Sequence, residues 1–219
     1  TCKQNKFSCC KNSHEVNKKM EIYLIRHTTP AVEKGTCYGQ ADLDVTESFY
    51  EEAALIKEYL PVSIKSVYAS PLQRCSKLAQ QLFPSHNIFF HDDLKEINCG
   101  EWELRKWDDI PQEIVMPWMN DFVNVRIPGG ESYLDLFART TTIFQNIAEK
   151  KESAAIVSHG GVLRSILSHL TNTALIDSFN VFKLQYGCVV KLYLQDDQFA
   201  HEVLHNVQST SEQHKPSIK

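Results

Sequence analysis

The sequence predicts an α/β fold built on a mostly parallel sheet with helices on both faces. Three observations carry this. Apolar runs of three to six residues at 22–25, 66–69, 88–90, 154–157 and 189–194 have the length and bounding residues of buried strands. Stretches between them place apolar side chains at helical spacing, so strand and helix alternate, which is the order of a parallel sheet covered on both sides. The chain has 219 residues, 42% of them hydrophobic, with only 8 Gly and 8 Pro and no internal repeat, enough for one sizeable core and not for a string of small modules.

Taken in order, "IYLI" at 22–25 is the first strand, and it delivers Arg26 and His27 to its end. "TESFYEEAALIKEYLP" sets Phe49, Ala53, Ile56 and Leu60 on one helical face and is stopped by Pro61. "SVYA" at 66–69 is a strand, followed by a helix with Ser70 as its cap, Pro71 at its first position and Leu72, Cys75, Leu78, Ala79 and Leu82 inward. After a short strand at 88–90, the Trp- and Pro-containing stretch 101–130 is expected to form a small helical cap. "GESYLDLFARTTTIFQNIAEKK" then turns Leu134, Phe137, Thr141, Phe144 and Ala148 inward. "AAIV" at 154–157 leads into a helix over 162–170, and runs at 189–194 and 199–204, joined by "QDDQ", form a terminal antiparallel hairpin.

The ends of the chain read differently. Residues 1–19 carry five Lys against one Glu, a net +4, which leaves −8 on residues 20–219 of the chain's total of −4. With no apolar stretch to bury, or to act as a secretory signal, this segment is expected to be a disordered extension ahead of a natural start at Met20. Residues 206–219 form a second polar tail, which leaves 20–205 as the domain. Three of the seven cysteines lie in the first tail, and Cys37, Cys75, Cys99 and Cys188 show no zinc-ligand spacing. Reduced thiols and a cytoplasmic setting follow. An acidic body without a Lys/Arg run speaks against nucleic acid or membrane partners.

In open α/β sheets ligands bind beyond the carboxyl ends of the strands. Arg26 and His27 stand there after the first strand, residues 70–74 after the second, and His159, Gly160 and Gly161 after "AIVS", ahead of a helix whose exposed amides attract anions. Two Arg and two His at one sheet edge suit a phosphomonoester, a small anion close to doubly charged at neutral pH. Arg26 and Arg74 would grip its oxygens bidentately. A neutral imidazole can attack phosphorus if its second nitrogen donates to a backbone carbonyl, and a protonated one would stabilise the transition state. A carboxylic acid must serve the leaving alkoxide. This chemistry calls for no metal or cofactor.

"LIRHTTP" resembles the Arg-His-Gly signature of the histidine phosphatase superfamily, the phosphoglycerate mutase-like proteins. "YGQADLDVTE", "YASPLQRCSKLAQQL", "LKEINCGEWE", "PGGES" and "VSHGGVLRSIL" continue the resemblance in order over residues 21 to about 205. It implies a three-layer α/β/α sandwich. It also implies His27 as the phosphorylated nucleophile, Arg26, Arg74 and His159 as the rest of the phosphate pocket with Gly160 beside them, and Glu96 as proton donor. Thr28 stands where the family usually has Gly, Pro30 where it has Ser or Thr, Glu33 where it has Asn, Leu104 in place of the Gly of "WEG", and Phe49 in place of another Gly. Thr28 or Thr29 would then supply a hydroxyl to the phosphate. "RHTTP" with "GTCYGQADL" looks most like the alpha-ribazole phosphatase branch, whose members dephosphorylate alpha-ribazole 5′-phosphate.

Alternatives stay open at this level. Glu101 and Glu103 compete with Glu96, and only the resemblance prefers Glu96. A broad-specificity sugar-phosphate or fructose 2,6-bisphosphate phosphatase would use the same residues. So would a phosphoglycerate-type mutase, which commonly has a longer cap, or a phosphate-binding module without catalysis. His201 and His205 share a strand face but stand roughly 13 Å apart at about 3.3 Å per residue, too far to chelate one ion. Cys99 is expected as a small buried filler, and Trp102 and Trp107 either pack the core or line a pocket for an aromatic substrate.

Overall fold

The computed structural model describes residues 20–196 and 198–207. The expected tails, apart from Asn206 and Val207, lie outside the described residues. Six strands form one sheet in the order β3-β2-β4-β1-β5-β6: β1 (Glu21–Arg26), β2 (Ser66–Ala69), β3 (Ile88–Phe90), β4 (Ala154–Ser158), β5 (Val189–Gln195) and β6 (Gln198–His205). The first four strands in that spatial order run parallel, and β5 and β6 pair antiparallel beside β1. The three-layer sandwich expected from the resemblance is the observed fold.

Strand alternation divides the core into two halves, since successive side chains point to opposite faces. Ile22 and Leu24 of β1, Ile156 of β4 and Val190 and Leu192 of β5 meet α4 (Tyr133–Ala148) and α5 (Gly160–Thr171). Tyr23 and Ile25, Val67 and Ala69, and Ala155 and Val157 meet α1 (Phe49–Lys57) and α2 (Gln73–Leu82). Two 3-10 turns, Gly100–Trp102 and Trp107–Asp109, and α3 (Gln112–Asn120) form the cap around Cys37, Cys99, Trp102, Ile110, Val115 and Ile127. A short helix, α6 (Ser178–Val181), precedes β5. No helix among the described residues is long and apolar enough to cross a membrane.

Two sequence expectations are corrected. Ser70 does not cap α2, which begins at Gln73; its hydroxyl lies 2.8 Å from His159 Nε2 instead, and Asp42 Oδ1 accepts the Gln73 amide at 2.7 Å from another loop. The inward face of α4 is rotated by about one residue from expectation. Tyr133, Leu136, Thr140, Ile143, Phe144 and Ile147 are buried, while Leu134 is 48% exposed. Both stripes are apolar and share Phe144. The choice is made by the Ser132–Asp135 capping box that fixes the helix start and by packing against α5.

Candidate active site

The site follows from strand order. β4 lies between β1 and β2, with Arg26 opposite Ser158 and Ala69 opposite Val157. The next residue of each strand is therefore His27, His159 or Ser70, three neighbours at one sheet edge. The His27 amide donates to Ser158 O at 2.9 Å. The two imidazoles meet edge to face with centroids 5.1 Å apart, and they are 2% and 0% exposed. Imidazoles from opposite halves of the chain thus face each other.

His27 Nδ1 donates to the Thr28 carbonyl at 2.7 Å, which leaves Nε2 with its lone pair. Burial first, then the Arg74 and Arg26 charges, hold the ring well below the ordinary histidine pKa. His159 is lowered in the same way, by burial, then Arg74, His27 and Arg26. These positive neighbours disfavour a proton on the ring, whereas an entering dianion would reverse the arginine contribution and favour its protonation.

Arg74 is fully buried; its Nη2 donates to Gly39 O at 2.6 Å and its Nη1 to Ala41 O at 2.8 Å. Its Nε has no partner among the described residues, and neither has the hydroxyl of the fully buried Thr28. Unmatched buried donors of this kind suit an anion. Arg26 Nη1 donates to Leu184 O at 2.6 Å, and its guanidinium lies 3.9 Å from the Tyr186 ring centroid. Tyr186 flanks His27 with ring centroids 5.4 Å apart, and its hydroxyl is hydrogen-bonded to that of Tyr38, whose ring lies 5.5 Å from the Arg74 guanidinium.

Geometry separates the three carboxylates. Glu101 is exposed. Glu103 accepts four backbone amides, those of Gly39, Gln40, Ala41 and Cys99, at 2.7 to 3.1 Å, and so fixes the loop whose carbonyls hold Arg74. Glu96 Oε2 accepts from Gly161 N at 3.0 Å and Oε1 from Ile97 N at 2.9 Å, which places it at the start of α5 next to His159. A methyl group on Gly161 would come within 2.3 Å of Glu96 Oε1, so a side chain there would displace the carboxylate. The segment carrying Glu96 is pinned by Arg139, which donates to the carbonyls of Asp93, Lys95 and Glu96 and forms a bidentate pair with Glu131.

Cys75 Sγ lies 3.4 Å from His159 Nε2, a spacing that invites a thiol mechanism. Burial pushes the thiol up to about 12, so Cys75 stays protonated and, with Ser70, serves to orient the imidazole.

Sequence reasoning brought Arg26, His27, Arg74, Glu96, His159 and Gly160 to one place, and the structure assembles them. Of the two threonines, Thr29 is committed to Glu52, donating through its amide at 2.9 Å and its hydroxyl at 3.2 Å. Glu33 pairs with Lys106 Nζ at 2.6 Å and is outside the pocket. Leu104 takes φ 63°, the left-handed backbone that a glycine adopts without strain. Trp102 is core, 1% exposed and packed edge to face on Trp107 and Trp118. Cys99 is the buried filler expected. Tyr38, Tyr186 and Arg139 were missed; isolated tyrosines in loops and an arginine inside a helical pattern give no signal in one sequence.

Comparison with known proteins points the same way. The model of the histidine phosphatase superfamily (branch 1) matches residues 22–207. The metal-independent phosphoserine phosphatase of Arabidopsis thaliana is 28% identical over 82% of this chain and 78% of its own length. The adenosylcobalamin/alpha-ribazole phosphatase of Escherichia coli K12 is 26% identical over 77% and 87%. The crystal structure of the alpha-ribazole phosphatase from Shigella flexneri superposes with a TM-score of 0.76 at 25% identity, covering 84% of this chain and 96% of that one.

Proposed function

The chain belongs to the histidine phosphatase superfamily (branch 1) and is a phosphomonoester hydrolase; on that premise we propose that it works through a phosphohistidine at His27, without a metal. The observation that carries the reading is the His27 ring itself. Nδ1–H is tied to the Thr28 carbonyl, and burial beside two guanidiniums keeps the ring neutral, so Nε2 is an available nucleophile. Arg26, Arg74 and the Thr28 hydroxyl grip the phosphoryl oxygens. His27 Nε2 bonds to phosphorus as the ester P–O bond breaks, and the leaving alkoxide takes a proton from Glu96. The Glu96 carboxylate then takes a proton from water, hydroxide attacks phosphorus, the P–N bond breaks, and inorganic phosphate leaves with His27 restored. His159, protonated as the dianion enters, supports the charge on the equatorial oxygens.

The test is release of phosphate from a generic aryl phosphate in excess EDTA, with loss of release in His27→Ala. Strict dependence on an added divalent metal would overturn the mechanism. For the substrate, alpha-ribazole 5′-phosphate is the finer reading that the first motif suggests. It is supported by the Escherichia coli and Shigella relatives, and phosphoserine by the Arabidopsis one at similar identity. The four described cysteines are free thiols, which supports a cytoplasmic setting.

A further inference from the structure

Two loops hold the two arginines of the pocket in the same manner. Loop 38–41 offers Arg74 the carbonyls of Gly39 and Ala41 and sets the Tyr38 ring 5.5 Å from its guanidinium. Loop 184–186 offers Arg26 the carbonyl of Leu184 and sets the Tyr186 ring 3.9 Å from its guanidinium. The tyrosines are 148 residues apart in sequence, and a hydrogen bond between their hydroxyls joins one loop to the other. The Tyr186 ring also covers His27, with centroids 5.4 Å apart. Both tyrosines are half-buried, whereas His27, Thr28, Arg74 and His159 beneath them are at most 2% exposed. A phosphate ester cannot reach His27 Nε2 through so small an opening, so a covering group has to move.

The backbone beside each tyrosine is tied down. Cys37 N donates to Arg105 O and Cys37 O accepts from Leu104 N, both at 2.8 Å, and Gly39 N donates to Glu103 Oε2 at 2.9 Å. Gln185 N donates to Asn206 Oδ1 at 2.8 Å, and Gly187 N to His27 O at 3.0 Å. Rotation of the side chains is the motion left to them, and it needs no rearrangement of either loop.

We propose that Tyr38 and Tyr186 form a two-leaf gate over the phosphate pocket, shut by the bond between their hydroxyls and opened by rotation of the rings. The proposal goes beyond the phosphohistidine reading, since it concerns access to the pocket whether or not His27 becomes phosphorylated. Shut, the rings screen His27 and both guanidiniums from water. As the rings turn, each arginine gives up a π face, and the entering phosphate replaces it with a full countercharge.

Carbethoxylation of His27 by diethyl pyrocarbonate measures the opening. The reagent adds to a neutral imidazole nitrogen, and mass spectrometry of the peptide that carries His27 follows it without reference to activity. In the intact chain His27 should react more slowly than the exposed His201. Tyr38→Phe and Tyr186→Phe should each speed His27 by about fivefold, the weight of one ordinary hydrogen bond, with His201 unchanged and thermal unfolding followed for each variant. The double variant should react no faster than the faster single one, because the same bond is lost in all three, whereas independent losses would multiply. A His27 as fast as His201 in the intact chain, single variants with unaltered rates, or effects that multiply in the double variant would overturn the gate. If the variants do not fold, the comparison of His27 with His201 in the intact chain still decides. An intact chain that hydrolyses no aryl phosphate would remove the phosphohistidine reading and leave this measurement standing.

Discussion

A histidine becomes a nucleophile through what surrounds it. His27 donates one ring proton to the Thr28 carbonyl beside it, and two arginines discourage a second proton. Surroundings separate the carboxylates as well. Glu96 touches the start of α5 at Gly161, whereas Glu103 is fully occupied by backbone amides and Glu101 faces solvent. Glu96→Gln should therefore lower kcat by about 10² to 10⁴, the usual weight of a general acid. Glu101→Gln should stay within about twofold, because surface carboxylates away from the reacting atoms contribute little. Steady-state kinetics on one aryl phosphate and one alkyl phosphate checks both, and the alkyl ester should suffer more because its alkoxide needs the proton. Equal losses in the two variants would transfer the role away from Glu96.

At the level of elements, α4 shows where periodicity stops being decisive. Its sequence offers two apolar stripes about one residue apart, and the buried one runs through Leu136, which is fully enclosed between the sheet and α5, while Leu134 is left half exposed. Leu136→Ala should cost about 2–5 kcal/mol and Leu134→Ala about 0.5 kcal/mol or less in urea unfolding, since only the first opens a cavity. The reverse ranking would mean that the helix is rotated. The strands were more legible than the helices. Runs such as 66–69 and 88–90 match the observed strands to the residue, because each is a contiguous apolar block bounded by turns, although 88–90, expected to be buried, is an edge strand with Phe89 and Phe90 exposed. Helix starts depend on partners elsewhere in the chain, as when Asp42 caps α2 and Ser70 turns to His159.

Across the whole molecule, burial of two neutral imidazoles links folding to pH. Both histidines titrate well below 6.5 in the folded chain, while the unfolded chain takes up protons near the ordinary value. The unfolded state therefore binds more protons as pH falls through about 6.5, and stability, full above that value, should decline below it. The slope reaches about 1.4 kcal/mol per pH unit for each histidine. Urea unfolding between pH 8 and pH 5 should show this acid loss, and His27→Asn should make it shallower; a profile flat down to pH 5 would contradict neutral burial. Added phosphate should offset part of the decline, because an anion that binds only the folded state stabilises it.

The amino-acid order alone determined the element types, the alternation that makes a parallel sheet, and the delivery of Arg26, His27, Arg74 and His159 to strand ends and helix starts, because these follow from local periodicity and turn chemistry. The insertion of β4 between β1 and β2, which sets His27 against His159, came only with the tertiary structure. So did the contacts that set Glu96 at the start of α5 and tie Glu103 to loop amides, and the burial that disfavours a proton on either imidazole. Each depends on which groups from distant segments end up within a few ångströms, where burial and charge act, and no local pattern records those distances.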